Sequence, residues 1–133
     1  MGWVVKLGGL MAGAASIWAL AAAGQPSALA QTRGGLWEVG GAPGAAKPIL
    51  QCIPDTRVLA QFEHRGRACP RTVITDAGTN ATIEYNCGSS GFGSSRITVL
   101  TPRSLRIETQ GISKGLPFNY VIQARRVGDC RFH

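Results

Sequence analysis

Histidine, acidic residues and aromatic residues are all scarce in this chain, and each scarcity narrows the chemistry open to it. Of the two histidines, His133 ends the chain and only His64 is internal, so a nucleophile would have a single candidate base. His64 stands in "EHRGR" beside Arg65 and Arg67, with no serine or second carboxylate next to it, and reads as a solvated loop residue. The seven Asp and Glu are scattered. Asp55 suits a helix cap, Glu84 and Glu108 fall outward among arginines, and Asp129 adjoins Cys130. Nothing in this spacing suggests the paired acids, about 5–10 Å apart, that glycoside hydrolysis needs. The expectation is a protein that is not an enzyme and has no catalytic residues.

Other familiar patterns are missing too. The four cysteines, Cys52, Cys69, Cys87 and Cys130, include no C-x-x-C pair, and their wide spacing argues against a zinc site. No metal and no cofactor is expected. "GSSGFGSS" is rich in glycine but lacks the Lys-Ser or Lys-Thr and the helix start of a phosphate loop. It reads as a flexible connection before the strand that Arg96 opens. The formal net charge is +7, yet no nucleic-acid-binding motif accompanies it, so no nucleic-acid partner is expected.

What is present begins with the leader. "MGWVVK" carries one cation, Lys6, an uncharged apolar run follows, and "QPSALAQ" closes with small residues at Ala28 and Ala30. A basic start, an apolar middle and a small-x-small end form a secretory signal peptide. Residues 1–30 are therefore expected to be removed at or near Ala30, leaving 31–133 as one domain, exported to the periplasm with no stable membrane span. No cysteine marks the cleavage point for lipid attachment, and no Arg-Arg pair precedes the apolar run, so ordinary unfolded export is the simpler route. An even number of cysteines in an oxidising compartment reads as two disulfides. Sequence leaves three pairings open. The expected one is Cys52–Cys69 with Cys87–Cys130, because the first two bracket a single local excursion.

Along the domain, "LWEVG" places Trp37 and Val39 on one face and Leu36 and Glu38 on the other, a first strand. "GAPGAAKP" has turn density of Gly and Pro. In "CIPDTRVLAQFEHRGRAC", Pro54 and Asp55 suit a helix start. Val58, Leu59 and Phe62 then form the apolar stripe of a short helix ending by Gly66. From Arg71 the period changes to two. "RTVITDAG", "TNATIEYNC", "RITVLTP", "RSLRIETQG" and "FNYVIQARRVGDC" read as successive strands, with Ile83, Tyr85, Ile97, Val99, Leu105, Ile107, Phe118, Tyr120 and Ile122 facing inward. The predicted fold is mainly β: an antiparallel bent meander of about six strands, a half-barrel, with one short helix and two disulfides.

The landmarks "GLWEV", "YNC" and "ARRVGDC", with the cysteines between and after them, resemble the domain of unknown function 3617 family, small exported proteins of Gram-negative bacteria. The resemblance covers 31–133 and rests on Gly35, Leu36, Trp37, Glu38, Cys52, Cys69, Cys87, Arg126, Gly128, Asp129 and Cys130. It implies a periplasmic, disulfide-stapled β-fold and supplies no catalytic residues. The chain departs from it in a short, Gly- and Ala-rich segment between Trp37 and Cys52, where a longer first hairpin would be expected.

Candidate binding residues remain. Arg96, Arg103, Arg106, Arg125 and Arg126 could align as a basic patch, since guanidinium binds phosphate and carboxylate bidentately. Trp37 could stack on a ligand or anchor the core, and Phe92 sits at the tip of a loop. The expected function is non-enzymatic binding of an anionic envelope component or a periplasmic partner protein, through the basic face and the loops around Phe92 and 40–47. The alternative is a carrier or sensor of a small hydrophobic or anionic ligand held between sheet and helix.

Overall fold

The computed structural model describes residues 25–131. Of the expected signal peptide, 1–24 therefore lie outside the described residues and 25–30 within them. Seven strands are present: β1 Gly35–Gly40, β2 Ile49–Ile53, β3 Arg71–Ala77, β4 Asn80–Asn86, β5 Gly91–Thr101, β6 Ser104–Ser113 and β7 Leu116–Gly128. They form one sheet in the order β2-β1-β7-β6-β5-β4-β3, and every neighbouring pair is antiparallel. The meander β3 to β7 runs in sequence order, and only β1 and β2 return to lie beside the last strand.

Strict alternation builds the inner face. Trp37, Val39, Ile83, Ile97, Leu105, Ile107 and Ile122 are all fully buried, each at a position whose neighbours in the strand point outward. A 3-10 segment, Thr56–His64, lies across this face against β4, β5 and β6. Its N-cap is Asp55, whose carboxylate accepts from the Arg57 N–H at 2.9 Å, as the acidic side chain before the apolar stripe foretells. The segment is kinked at Gln61, so the expected short helix is a tighter, broken one. Leu59, Ala60 and Phe62 fill the space beneath it and are at most 1% exposed. The sheet is open. Its two edges nonetheless approach each other, since one cleft of about 410 Å³ is lined both by Pro54 to Arg57 following β2 and by Val73 and Asp76 of β3.

The expected mainly β, antiparallel sheet with one short helical segment and two disulfides is present; the strand count is refined and two expectations need correction. There are seven strands, because Ile49–Ile53 is itself a strand pairing with β1, from Gly35↔Ile53 to Val39↔Ile49. The glycine-rich "GSSGFGSS" is mostly ordered: Gly88–Ser90 is a 3-10 turn, and from Gly91 the chain is already β5, paired with β4 and β6. The disulfides are Cys52–Cys130 and Cys69–Cys87, not the expected pairing. Cys52 does not open the local excursion but sits in β2, where Leu36 separates it from the end of β7. Cys69 and Cys87 flank the β3–β4 hairpin just beyond its last pair, Arg71↔Tyr85, so they meet across its open end.

Candidate functional site

The five candidate arginines do not form one patch. Arg96, Arg106 and Arg125 project outward from β5, β6 and β7, each one row further along the sheet, because Arg96 stands opposite Glu108, Arg106 opposite Thr98 and Gln123, and Arg125 opposite Ser104 and Glu38. Arg103 is exposed in the β5–β6 turn. Carboxylates are interleaved: Arg106 pairs with Glu108 at 3.2 Å and Arg125 with Glu38 at 3.4 Å. Such half-exposed pairs contribute little stability, but they offset the charge of two of the four outward arginines.

Arg126 is placed elsewhere. One residue past Arg125 it points inward, opposite Trp37, and is 8% exposed. Its Nε donates to the Gly34 carbonyl at 2.9 Å and its Nη2 to the Asp129 carboxylate. That bond holds the Asp129 carboxyl below its usual range. Trp37 is fully buried and its indole N–H has no hydrogen-bond partner, so packing alone holds it. Neither residue presents a surface to a ligand.

His64 is also not the solvated loop residue expected. It is 6% exposed, its ring set edge-on to Tyr85 and Phe118. Nε2 lies 2.9 Å from the Ser90 carbonyl and Nδ1 2.8 Å from the Tyr85 hydroxyl. A carbonyl can only accept, so Nε2 carries a proton, and in the neutral ring Nδ1 accepts from the Tyr85 hydroxyl. Burial and the nearby Glu63 push the Tyr85 hydroxyl up to about 12. Burial and a hydrogen bond to Glu63 raise Tyr120 as well. Both ring nitrogens of His64 are thus committed to tying the 3-10 segment to β4 and the β4–β5 turn. Among the described residues, no group of three or more His, Cys, Asp or Glu is placed to hold a metal ion.

Phe92, by contrast, lines an open groove. It is 52% exposed and lies on the wall of a groove of about 840 Å³ on the outer face, crossing β4 to β7. Two cross-strand rows line it. Asn86, Phe92, Ile112 and Pro117 form a mainly apolar row, and Glu84, Ser94, Gln110 and Asn119 a hydrogen-bonding one. Between them run Tyr85, Gly93, Gly111 and Phe118, which by alternation present only backbone to the groove. A Cβ on Gly93 would stand 2.7 Å from the Tyr85 ring, and one on Gly111 would overlap the Phe92 carbonyl. Gly93 therefore makes room for the Tyr85 ring of β4, and Gly111 lets the β6 backbone approach β5 more closely than a side chain would permit.

Cations flank the groove at both ends. A smaller cleft of about 400 Å³ shares Ser94, Gln110 and Asn119 with it and adds Arg96. Another, of about 720 Å³, shares Pro70 and Asn86 and adds Arg67 beside the Cys69–Cys87 bond. Beyond the apolar row lie exposed Lys114 in the β6–β7 turn and Leu116 at the start of β7, the latter 70% exposed. The expected 40–47 loop takes no part here, since Ala42 and Ala45 fold onto the core.

Sequence reasoning found Phe92 and Arg96 but missed the residues between them. The available signal was a glycine inside each of two neighbouring strands, which marks a bend or a close backbone approach. Comparison with protein-family models, with curated proteins and with solved structures returns no match.

Proposed function

We propose that this protein is a small exported, non-enzymatic β-module of the periplasm that binds an anionic amphiphile of the cell envelope in the groove across β4 to β7. The observation that carries this reading is the continuity of three chemistries on one face: the apolar row of Phe92, Ile112 and Pro117, the row of Glu84, Ser94, Gln110 and Asn119, and the cations at the two ends, Arg96 beside Glu108 and Arg67. An apolar chain would cover the first, hydroxyls or ester oxygens would bond to the second, and a phosphate or carboxylate would meet an arginine. The exposed Leu116 and Phe92 beside Lys114 suit the boundary of a lipid surface, where apolar side chains enter and cations stay at headgroup level. Two disulfides fit an oxidising compartment, and no helix among the described residues is long and apolar enough to cross a membrane. The resemblance to the domain of unknown function 3617 family points to the same compartment. A carrier site between sheet and helix has less to support it, because Leu59, Ala60 and Phe62 occupy that space.

The test is cosedimentation with vesicles of phosphatidylglycerol and of phosphatidylcholine. The wild-type protein should pellet with the first and much less with the second, and raised salt should weaken it. Phe92→Asp and Arg96→Glu should each reduce the bound fraction without changing the melting temperature. Equal partition onto both vesicles, or onto neither, contradicts the reading.

A further inference from the structure

The small-x-small pattern at Ala28–Ala30 places the export cut inside a stretch that the fold uses. Ala28 is fully buried and Leu29 is 8% exposed, both within the hydrophobic core. Ser27 donates its hydroxyl to the Asp76 carboxylate, and the Leu29 N–H donates to the same group at 3.1 Å. The Gly78 N–H donates to the Pro26 carbonyl at 3.1 Å, and the Gln31 side-chain amide to the Gly78 carbonyl at 2.9 Å. Thr32 then bonds back to the Leu29 carbonyl and across to Thr56. The segment covers the turn end of the β3–β4 hairpin at Asp76 and Gly78 and reaches Thr56 after β2. Asp76 is the one residue of β3 that is not exposed. A cut after Ala30 would remove two core side chains and strip Asp76 of both partners.

A second run of small residues lies just upstream. Ala21, Ala22, Ala23 and Gly24 offer small residues at the first and third positions before several bonds, the same requirement that Ala28 and Ala30 meet. We propose that the signal peptidase cuts within or directly after this upstream run, so that the mature chain begins no later than Gln25 and keeps residues 25–30 as part of the domain. The proposal rests on the exported reading above.

The experiment is to produce the full chain with its own leader in a Gram-negative host and weigh the purified protein intact under non-reducing conditions. The expected mass is that of a chain starting between Ala22 and Gln25, with four thiol hydrogens missing. A start at Gln31 with both disulfides formed overturns the proposal and leaves the exported reading intact. An oxidised but uncut chain also overturns it. An uncut chain with free thiols in the cytoplasm removes the exported reading itself. As a second arm, chains 25–133 and 31–133 can be made oxidised in parallel. The shorter should melt at least about 10 °C lower, on the scale by which core losses shift a domain of this size. Equal melting would show that residues 25–30 are dispensable and overturn their assignment to the domain.

Discussion

Arg125 and Arg126 are adjacent in sequence and belong to two different regions of the molecule. Arg125 lies on the outer face of β7, its side chain 64% exposed and loosely paired with Glu38. Arg126 lies on the inner face, where it fastens the approach to β1 at Gly34 and the residue before the terminal disulfide at Asp129. The strand's period of two separates them completely. A run of like charges along a strand is therefore not a patch; a patch is assembled across strands, one residue from each. By that criterion the inner corner around Trp37, Arg126 and Cys130 is structural, and the outer groove around Phe92 and Arg96 is the surface we propose for binding.

Removing the corner's covalent tie should have the largest effect. Cys52–Cys130 closes a loop of 78 residues and Cys69–Cys87 one of 18. By loop entropy these correspond to about 4.5 and about 3 kcal/mol. Denaturant unfolding of the two double Cys→Ser variants should show the larger loss for the first, with vesicle binding retained in whatever fraction stays folded. Arg126→Ala comes next, at about 2–3 kcal/mol, because it leaves the Gly34 carbonyl without its charged donor. Arg125→Ala should stay within about 0.5 kcal/mol. A comparable cost for both arginines would erase the distinction between the faces. Gly93→Ala should destabilise by about 1–3 kcal/mol through overpacking against Tyr85 and weaken vesicle binding as well, which sets it apart from substitutions at the corner.

The smallest effect concerns acid. Arg126 depresses the Asp129 carboxyl in the folded state, so this contribution is present above the unfolded value of 3.8 and is lost as the pH falls through the lower folded one. Thermal melts of wild type and Asp129→Asn should differ at pH 6 and draw together as the pH is taken below 3.8.

Much of the inner face was legible in the sequence. Every β-branched or leucine residue assigned inward from Ile83 to Ile122 is buried, because a sheet with one covered face enforces alternation on its sequence. β2 was not legible: "ILQCI" is too short to show a period, and its burial is set by β1 rather than by its own pattern. The cysteine pairing turned on the same omission. Once the β3–β4 hairpin is drawn in register, Cys69 faces Cys87, and a bulge between Val73 and Thr75 is needed to bring them level. The hydrophilic look of "EHRGR" concealed His64, whose burial depends on Tyr85, Ser90 and Phe118, residues far along the chain. The groove was visible only at Phe92 and Arg96, since Gln110 and Asn119 become neighbours through pairing of β6 with β7.

The most direct test of the division between faces is a backbone-amide NMR titration with dihexanoyl phosphatidylglycerol kept below its micelle concentration. Shifts that rise together at Phe92, Ser94, Arg96, Gln110 and Asn119, and leave Trp37 and Arg126 unmoved, are the predicted result. Shifts centred on the Thr56–His64 segment or on the Arg126 corner, or no saturable shift at all, would contradict it.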